Sequence, residues 1–344
     1  MKREDEANPD LVNGVCTEVS EALKSTIALS SIVFPSLRRK IIHAPIPVLV
    51  TGRCNSPCRK CSVWENERET DLDVEIIRDL LSDRTVGKYT SFILTGGEFL
   101  LHPQYKDILS MFEGRRYALI SNGLLSDKLV EAIREFKVKR LYLSLDGPVE
   151  TCRRFRGLDE HSKIENLVTE IKNEVDLFIM YTVTPWNTRK DLDEILQFCK
   201  RYSLHVLVGY YQDSECSEAR VVRRMYSAAD KIDHPYHRLY DYWASGKLRM
   251  PCLSILMTPV VMPNGDVRLC IAKEIVLGNL HKRGLGDIWT SKETRAIQRK
   301  YVGCNSCWAD GHRYYDLRLI SSLRTLLPNC LLNKVLGKSD WNKM

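Results

Sequence analysis

The chain has 344 residues, 44% apolar and 28% charged, with 51 Lys and Arg against 44 Asp and Glu for a formal net charge of +7. These proportions exclude a disordered chain and allow one large domain with an appendage, or two domains. The basic residues are spread out, with only short runs such as Arg38-Arg39-Lys40 and Arg223-Arg224, so no nucleic-acid partner is expected.

The stretch Met1 to Glu21 is polar and acidic where a secretory signal needs apolar residues. The uncharged run Ser25–Leu37 is shorter than the ~20 apolar residues that cross a bilayer. A cytoplasmic, reducing location is therefore expected, in which the 12 cysteines are not disulfides by default. Within residues 1–46, Leu23, Ile27, Phe34, Leu37 and Ile41 fall near helical spacing, interrupted by Pro35 and ended by Pro45 and Pro47.

From Val48 onward, β-branched and aromatic runs alternate with charged amphipathic segments. Val48–Thr51, Ser91–Leu94, Tyr117–Ile120, Arg140–Leu145, Leu177–Val183 and Leu204–Tyr210 predict buried strands. Asp73–Arg84, Gln104–Phe112, Asp127–Lys137, Lys163–Glu174 and Thr188–Arg201 predict helices. This is an α/β pattern of consecutive right-handed β/α units, arranged either as a doubly wound open sheet or as a partial (β/α)6 barrel. Both geometries carry chemistry at the C-terminal strand ends. The unusual groups gather there: a cysteine loop after the first strand, Thr95-Gly96-Gly97-Glu98 after the second, Ser121-Asn122-Gly123 after the third and Asp146-Gly147-Pro148 after the fourth. Beyond Tyr210 the alternation stops. Residues 217–247 read as helical, 250–311 as short strands and turns with four cysteines, and 313–344 as a leucine-rich helix broken at Pro328.

Cys54, Cys58 and Cys61 stand close enough for one loop to wrap one metal centre, and thiolates suit zinc, copper(I) or iron-sulfur clusters. A closed zinc site or a fully ligated cubane wants four protein ligands, and no fourth Cys or His lies nearby in sequence. A cubane held by three cysteines leaves one iron open to a small molecule. The competing reading is a zinc knuckle completed by the distant His102.

Cys54-x3-Cys58-x2-Cys61 after a first strand resembles the signature of the radical S-adenosylmethionine superfamily. The resemblance implies the partial TIM-like barrel with a [4Fe-4S] cluster on those three cysteines. It also implies S-adenosylmethionine chelated to the open iron, cleavage to a 5'-deoxyadenosyl radical, and a reductant such as flavodoxin or ferredoxin. Gly96, Gly97 and Glu98 are similar to the family's GGE motif, whose backbone lies against the methionine amino group, with Glu98 able to restrain a cation. By the same resemblance Ser144 would reach a ribose and Arg156, in Phe155-Arg156-Gly157, would pair with the methionine carboxylate. Trp64 would pack by the adenine or cover the cluster. Asn122 orients ligand or shapes its own turn.

Cys252, Cys270 and the Cys304-x2-Cys307 pair form a second set, with Asn264-Gly265 supplying a hairpin turn before Cys270. Four thiolates satisfy a structural zinc or a cubane. The set looks like the twitch domain, a truncated SPASM domain, which implies one auxiliary [4Fe-4S] cluster held wholly by protein. The resemblance covers about residues 47–312. It divides the chain into an amphipathic segment (1–46), a barrel core (47–215), a helical linker (216–249), an auxiliary-cluster domain (250–312) and a helical tail (313–344).

Cys16, Cys152, Cys199, Cys216 and Cys330 are isolated and read as small buried hydrophobes. Cys216 is also the candidate hydrogen donor for an epimerisation. Residues 1–46 are too few for a leader-recognition domain. That shortage favours a radical oxidoreductase acting on a sugar, aminocyclitol or lipid-linked substrate, with the auxiliary cluster accepting an electron. The alternatives are peptide modification, by thioether formation or epimerisation, and a non-enzymatic zinc-binding protein. Ile27–Ile42 and Leu317–Leu336 offer apolar faces for peripheral membrane contact.

Overall fold

A computed structural model of the chain describes residues 42, 44–59, 61, 63–66, 69–212, 225–326 and 328–336. The amphipathic leader, Cys16 and Cys216 lie outside the described residues.

Six parallel strands run in chain order: β1 (Ile46–Leu49), β2 (Ser91–Thr95), β3 (Arg116–Ser121), β4 (Arg140–Ser144), β5 (Asp176–Val183) and β6 (His205–Tyr210). Each pairs with its sequence neighbour, from β1 to β6 without reversal. A doubly wound sheet reverses its order at a switch point, so this topology is the partial barrel. The connections hold α1 (Val63–Asn66), α2 (Val74–Ser82), α3 (Tyr105–Met111), α4 (Ser126–Phe136), α5 (Val149–Arg156), α6 (His161–Ile171) and α7 (Arg189–Tyr202).

Register separates the two faces of the sheet, because side chains alternate with a period of two. Val48, Leu94, Leu119, Leu141 and Leu177 form one paired row, buried in the core with the helices. The alternate rows, Ile120-Tyr142-Phe178-His205 and Ser144-Met180-Leu207, lie on the concave face. Rings pack along that face, with Phe178 centred 5.1 Å from Tyr142 and 4.8 Å from His205. Helix starts are fixed locally: Thr188 and Asp191 make a reciprocal capping box on α7, and the Asp73 carboxylate caps α2. Strand β1 begins two residues before the expected Val48, taking in Pro47 at its start. Helix α5 was not expected; Pro148 precedes it and Gly157, at φ 79°, ends it in the left-handed conformation that glycine tolerates best.

The rest of the described chain comprises α8 (Pro235–Ala244), β7 (Val260–Val261), β8 (Asp266–Cys270), β9 (Lys273–Asn279), α9 (Leu285–Trp289), α10 (Lys292–Tyr301), α11 (Asp310–Leu326) and α12 (Asn329–Leu336). Strand β7 lies parallel to β1 through Val48 and Val261, then pairs antiparallel with β8, and β8 with β9. The C-terminal extension therefore continues the barrel sheet. An aromatic cluster fastens its far side: Tyr210 stacks on Tyr240 at 3.5 Å, Tyr236 on Tyr314 at 4.1 Å, and Trp308 lies 5.4 Å from Trp243. Cys152 and Cys199 are buried as expected. Cys330 is exposed, because the first turn of α12 after Pro328 faces solvent. Among the described residues, no helix is long and apolar enough to cross a membrane.

Candidate active site

The cysteine loop leaves β1 through a tight base. Gly52 N–H donates to the Thr70 carbonyl at 2.8 Å, Thr51 Oγ1 to Asp71 at 2.6 Å, and Arg53 Nε to the same carboxylate at 2.9 Å. Higher in the loop, Cys61 N–H donates to the Cys58 carbonyl, and Trp64 Nε1 donates to it from α1 at 3.2 Å. Trp64 thus closes the loop from outside. Cys58 is buried, while Cys54 and Cys61 are half-buried. Burial pushes the Cys54 thiol up to about 11, and the nearby Cys58, Glu98 and Cys61 charges add to the effect. Such a pocket favours the neutral form of Cys54 until a bound cation compensates the thiolate, which suits iron binding. Among the described residues no three metal-binding side chains form a cage around a single ion. His102 does not complete one: its Nε2 faces the Leu72 carbonyl at 3.0 Å and its Nδ1 accepts from Gln104 N–H at 3.0 Å. With His102 engaged elsewhere, the zinc-knuckle reading loses the fourth ligand it proposed.

The Thr95–Glu98 loop packs directly on this one. Gly97 N–H donates to the Thr51 carbonyl and Glu98 N–H to the Arg53 carbonyl, both at 2.7 Å. A Cβ on Gly97 would sit 2.4 Å from the Arg53 oxygen and 2.8 Å from Cys54 Cβ, and one on Gly96 would sit 2.4 Å from the Thr51 oxygen. The two glycines are required for this contact, whatever they do for a ligand. The Glu98 carboxylate, expected to be able to restrain a cation, is engaged within the protein. Buried and turned inward, it accepts from Asn122 N–H at 2.8 Å and Ser121 Oγ at 3.0 Å, donors at the end of β3, and from Leu100 N–H at 3.3 Å, where it caps a 3₁₀ turn. Desolvation still raises it to about 7. Asn122 both shapes its turn, accepting from Leu124 N–H, and reaches the cysteine loop by donating Nδ2 to Asn55 Oδ1 at 2.7 Å. Ser144 stands half-buried on the concave face beside Met180.

Arg156 departs from its expected role. The side chain is 3% exposed and its guanidinium is shared between Asp146, through Nε at 2.8 Å, and Glu160 at 2.7 Å. Asp146 in turn accepts from Thr182 N–H at 2.6 Å. With both carboxylates buried beside it, this guanidinium is committed inside the protein rather than presented to a methionine carboxylate. Glu160 also receives the Ser56 hydroxyl at 2.7 Å. Ser56 and Glu160 were missed from the sequence; the four-residue spacing of Arg156 and Glu160 was the one available signal.

In the second set, Cys252 N–H donates to the Cys304 carbonyl at 2.9 Å, bringing the two loops together. Burial raises the Cys252, Cys270 and Cys307 thiols, Cys270 to about 11, and each is raised further by neighbouring cysteines of the set. Arg313 and Asp316, missed from the sequence, lock the loops from α11. Arg313 donates to the carbonyls of Cys307 and Met250, and Asp316 accepts from Leu253 N–H, Ser254 N–H and the Ser254 hydroxyl. Asn305, between Cys304 and Cys307, accepts from Met250 N–H at 2.9 Å and Trp243 Nε1 at 3.1 Å. Four buried or half-buried thiols of this kind fit a fully ligated cluster.

A three-thiol loop on β1 of a partial barrel, with four thiols on the extension of its sheet, defines a class of iron-sulfur protein, and sequence comparison identifies it. The Radical SAM superfamily profile matches residues 48–199, and the profile of SPASM, an iron-sulfur cluster-binding domain, matches residues 252–308. The tungsten-containing aldehyde ferredoxin oxidoreductase cofactor-modifying protein of Pyrococcus furiosus is 33% identical over 308 residues, 75% of this chain and 85% of that protein. The GTP 3',8-cyclase of Aliarcobacter butzleri is 29% identical over 165 residues, 44% of this chain and 50% of that enzyme. The chain belongs to the radical SAM superfamily and carries a SPASM domain. Its cofactors are S-adenosylmethionine and two [4Fe-4S] clusters.

Solved structures share the fold. Streptococcus suis SuiB bound to its precursor peptide SuiA matches with a TM-score of 0.61 at 17% identity, over 89% of this chain and 80% of that one. The enzyme anSMEcpe with bound AdoMet matches with a TM-score of 0.57 at 17% identity, over 85% of this chain and 98% of that one.

Proposed function

We propose that this radical SAM enzyme modifies a peptide, laid along the concave face of the sheet, by abstracting a hydrogen atom from it. The reading is supported first by the likeness of 89% of the chain to SuiB, whose structure holds a precursor peptide. The face itself is suited to an extended chain: six strands at a spacing of about 4.8 Å span roughly the length of seven extended residues. Its rows offer apolar Ile120, Met180 and Leu207 beside the hydroxyl of Ser144. A peptide therefore suits the face better than a small-molecule or lipid-linked substrate.

S-adenosylmethionine on the reduced cluster supplies the hydrogen-abstracting group when both are bound. The chain's own residues do the rest. Cys54, Cys58 and Cys61 hold the cluster, and Trp64 and Asn122 fix the loop that carries them. Gly96 and Gly97 bring the second loop against it, and Ser144 offers its half-buried hydroxyl to a ribose or a substrate. Cys252, Cys270, Cys304 and Cys307 hold the auxiliary cluster, and flavodoxin or ferredoxin is the class of reductant.

A second reading keeps the oxidation of a small molecule, with the auxiliary cluster accepting the electron. It is favoured by the Pyrococcus furiosus relative, a cofactor-modifying protein. One experiment separates the two. Reconstituted, reduced enzyme is incubated with S-adenosylmethionine and either deuterated peptides or a deuterated small-molecule extract. Deuterium recovered in 5'-deoxyadenosine from the peptides alone supports the first reading, and from the extract alone the second. Cluster-loaded protein that forms no 5'-deoxyadenosine with either overturns both.

A further inference from the structure

Four buried polar groups form a continuous line from the barrel strands to one cysteine of the first loop. Asp146, at the end of β4, holds Arg156; Arg156 Nη1 donates to Glu160 Oε2 at 2.7 Å; the Ser56 hydroxyl donates to Glu160 Oε1 at 2.7 Å; and Ser56 Oγ lies 3.0 Å from Cys58 Sγ. Arg156 is 3% exposed, Glu160 0% and Ser56 2%, so water does not compete for these contacts. Around them the backbone is clamped: Arg59 N–H donates to the Phe155 carbonyl at 3.0 Å, and Gly157 faces Pro57 so closely that a Cβ would lie 3.0 Å from its ring.

The hydroxyl of Ser56 has one proton and two strong acceptors within reach, since Arg156 O at 3.4 Å is the longer contact. When Cys58 binds iron its sulfur is a thiolate and can only accept. The carboxylate of Glu160 and the sulfur of Cys58 then compete for the same proton. A hydrogen bond to a cluster sulfur stabilises the more negative, reduced state and raises the potential, while a nearby buried negative charge lowers it.

We propose that Ser56 is a positioning residue that donates its hydroxyl to the Cys58 sulfur, and that Glu160, anchored by Arg156, sets how strongly it does so and thereby tunes the potential of the S-adenosylmethionine-binding cluster. The proposal rests on the cluster assignment and not on the choice of substrate. Replacing Ser56 by Ala removes the donor and leaves the Glu160 charge. Replacing Glu160 by Gln removes the charge and offers Ser56 an amide donor in place of a competing acceptor, with the amide oxygen held toward Arg156.

The test is a redox titration followed by electron paramagnetic resonance on full-length, reconstituted Ser56→Ala, Ser56→Thr and Glu160→Gln. No substrate is present, and the cluster is identified by the change in its signal when S-adenosylmethionine is added. Ser56→Ala is expected to shift the midpoint to more negative values, Glu160→Gln to less negative values, and Ser56→Thr to restore the wild-type value. A loosened loop would move both of the first two in the same direction. An unshifted Ser56→Ala, or shifts of the same sign, overturns the proposal. Should Ser56→Ala fail to retain iron, the sign for Glu160→Gln decides: less negative supports it, unshifted or more negative overturns it.

Discussion

The side-chain amide of Asn122 donates to the side-chain oxygen of Asn55 at 2.7 Å, so the turn after the third strand grips the cysteine loop after the first, 67 residues earlier. The same nitrogen lies 4.0 Å from Cys54 Sγ. One side chain therefore ties the C-terminal end of β3, across β2, to the loop that begins with Cys54.

Replacing Asn122 by Ala deletes that tie, a hydrogen bond contributing about 1 kcal/mol net. The N-terminal cluster is expected to be lost faster on gel filtration while the auxiliary cluster stays. Iron per chain, followed over successive passes, checks this, and equal retention of both clusters contradicts it.

Gly97→Ala is expected to be harsher, because its Cβ would lie 2.4 Å from a backbone oxygen that belongs to the cysteine loop itself. The two loops must part to make room. Reconstituted protein should hold about four irons instead of about eight, with near-wild-type secondary structure by circular dichroism. Full iron loading would show that the loops separate at no cost to the site.

Arg313 and Asp316 form a buried ion pair, 1% and 0% exposed, that also satisfies the backbone of both auxiliary cysteine loops. Removing one partner of such a pair costs about 3–5 kcal/mol, since the other charge is left buried. Asp316→Ala should lower the melting temperature and release the auxiliary cluster first, read as loss of half the iron. The first cluster's response to S-adenosylmethionine should survive in whatever fraction remains folded.

Acid should undo the join between the barrel and its extension. Desolvation lowers His237 on α8 to about 3 and His312 on α11 to about 4, so both are neutral when folded. A histidine depressed in this way contributes fully above its unfolded value near 6.5. As pH falls below that value, the unfolded state binds the protons and each histidine loses about 1.4 kcal/mol of stability per pH unit down to its folded value. Melting temperature should therefore fall steeply from pH 6.5 toward 4. Replacing His237 by Phe, which removes a buried Nε2 that has no hydrogen-bond partner among the described residues, should flatten that slope.

The alternation of strands and helices was legible because each unit announces itself locally: buried runs of Ile, Leu and Val recur between amphipathic stretches. Both cysteine sets and the glycine pair were equally plain, since soft ligands at close spacing and adjacent glycines after a strand have few other uses. What escaped depends on long-range closure. That Arg156 turns to Asp146 and Glu160, and that Glu160 meets Ser56 across 104 residues, follows from how α5 and α6 lie over the cysteine loop. The inward turn of Glu98 likewise needs β3 beside β2. The continuation of the sheet through Val48 and Val261 has no signature in either segment, because two valines among many paired only once the extension had folded back.

That pairing of β1 with β7 joins the barrel and its extension in one frame: Cys270 ends β8, two strands from the β1 that feeds the Cys54 loop. Hinged domains let the parts of a molecule breathe with every thermal swing. A shared pleated plate resists that motion, so the two cysteine-bearing segments move together.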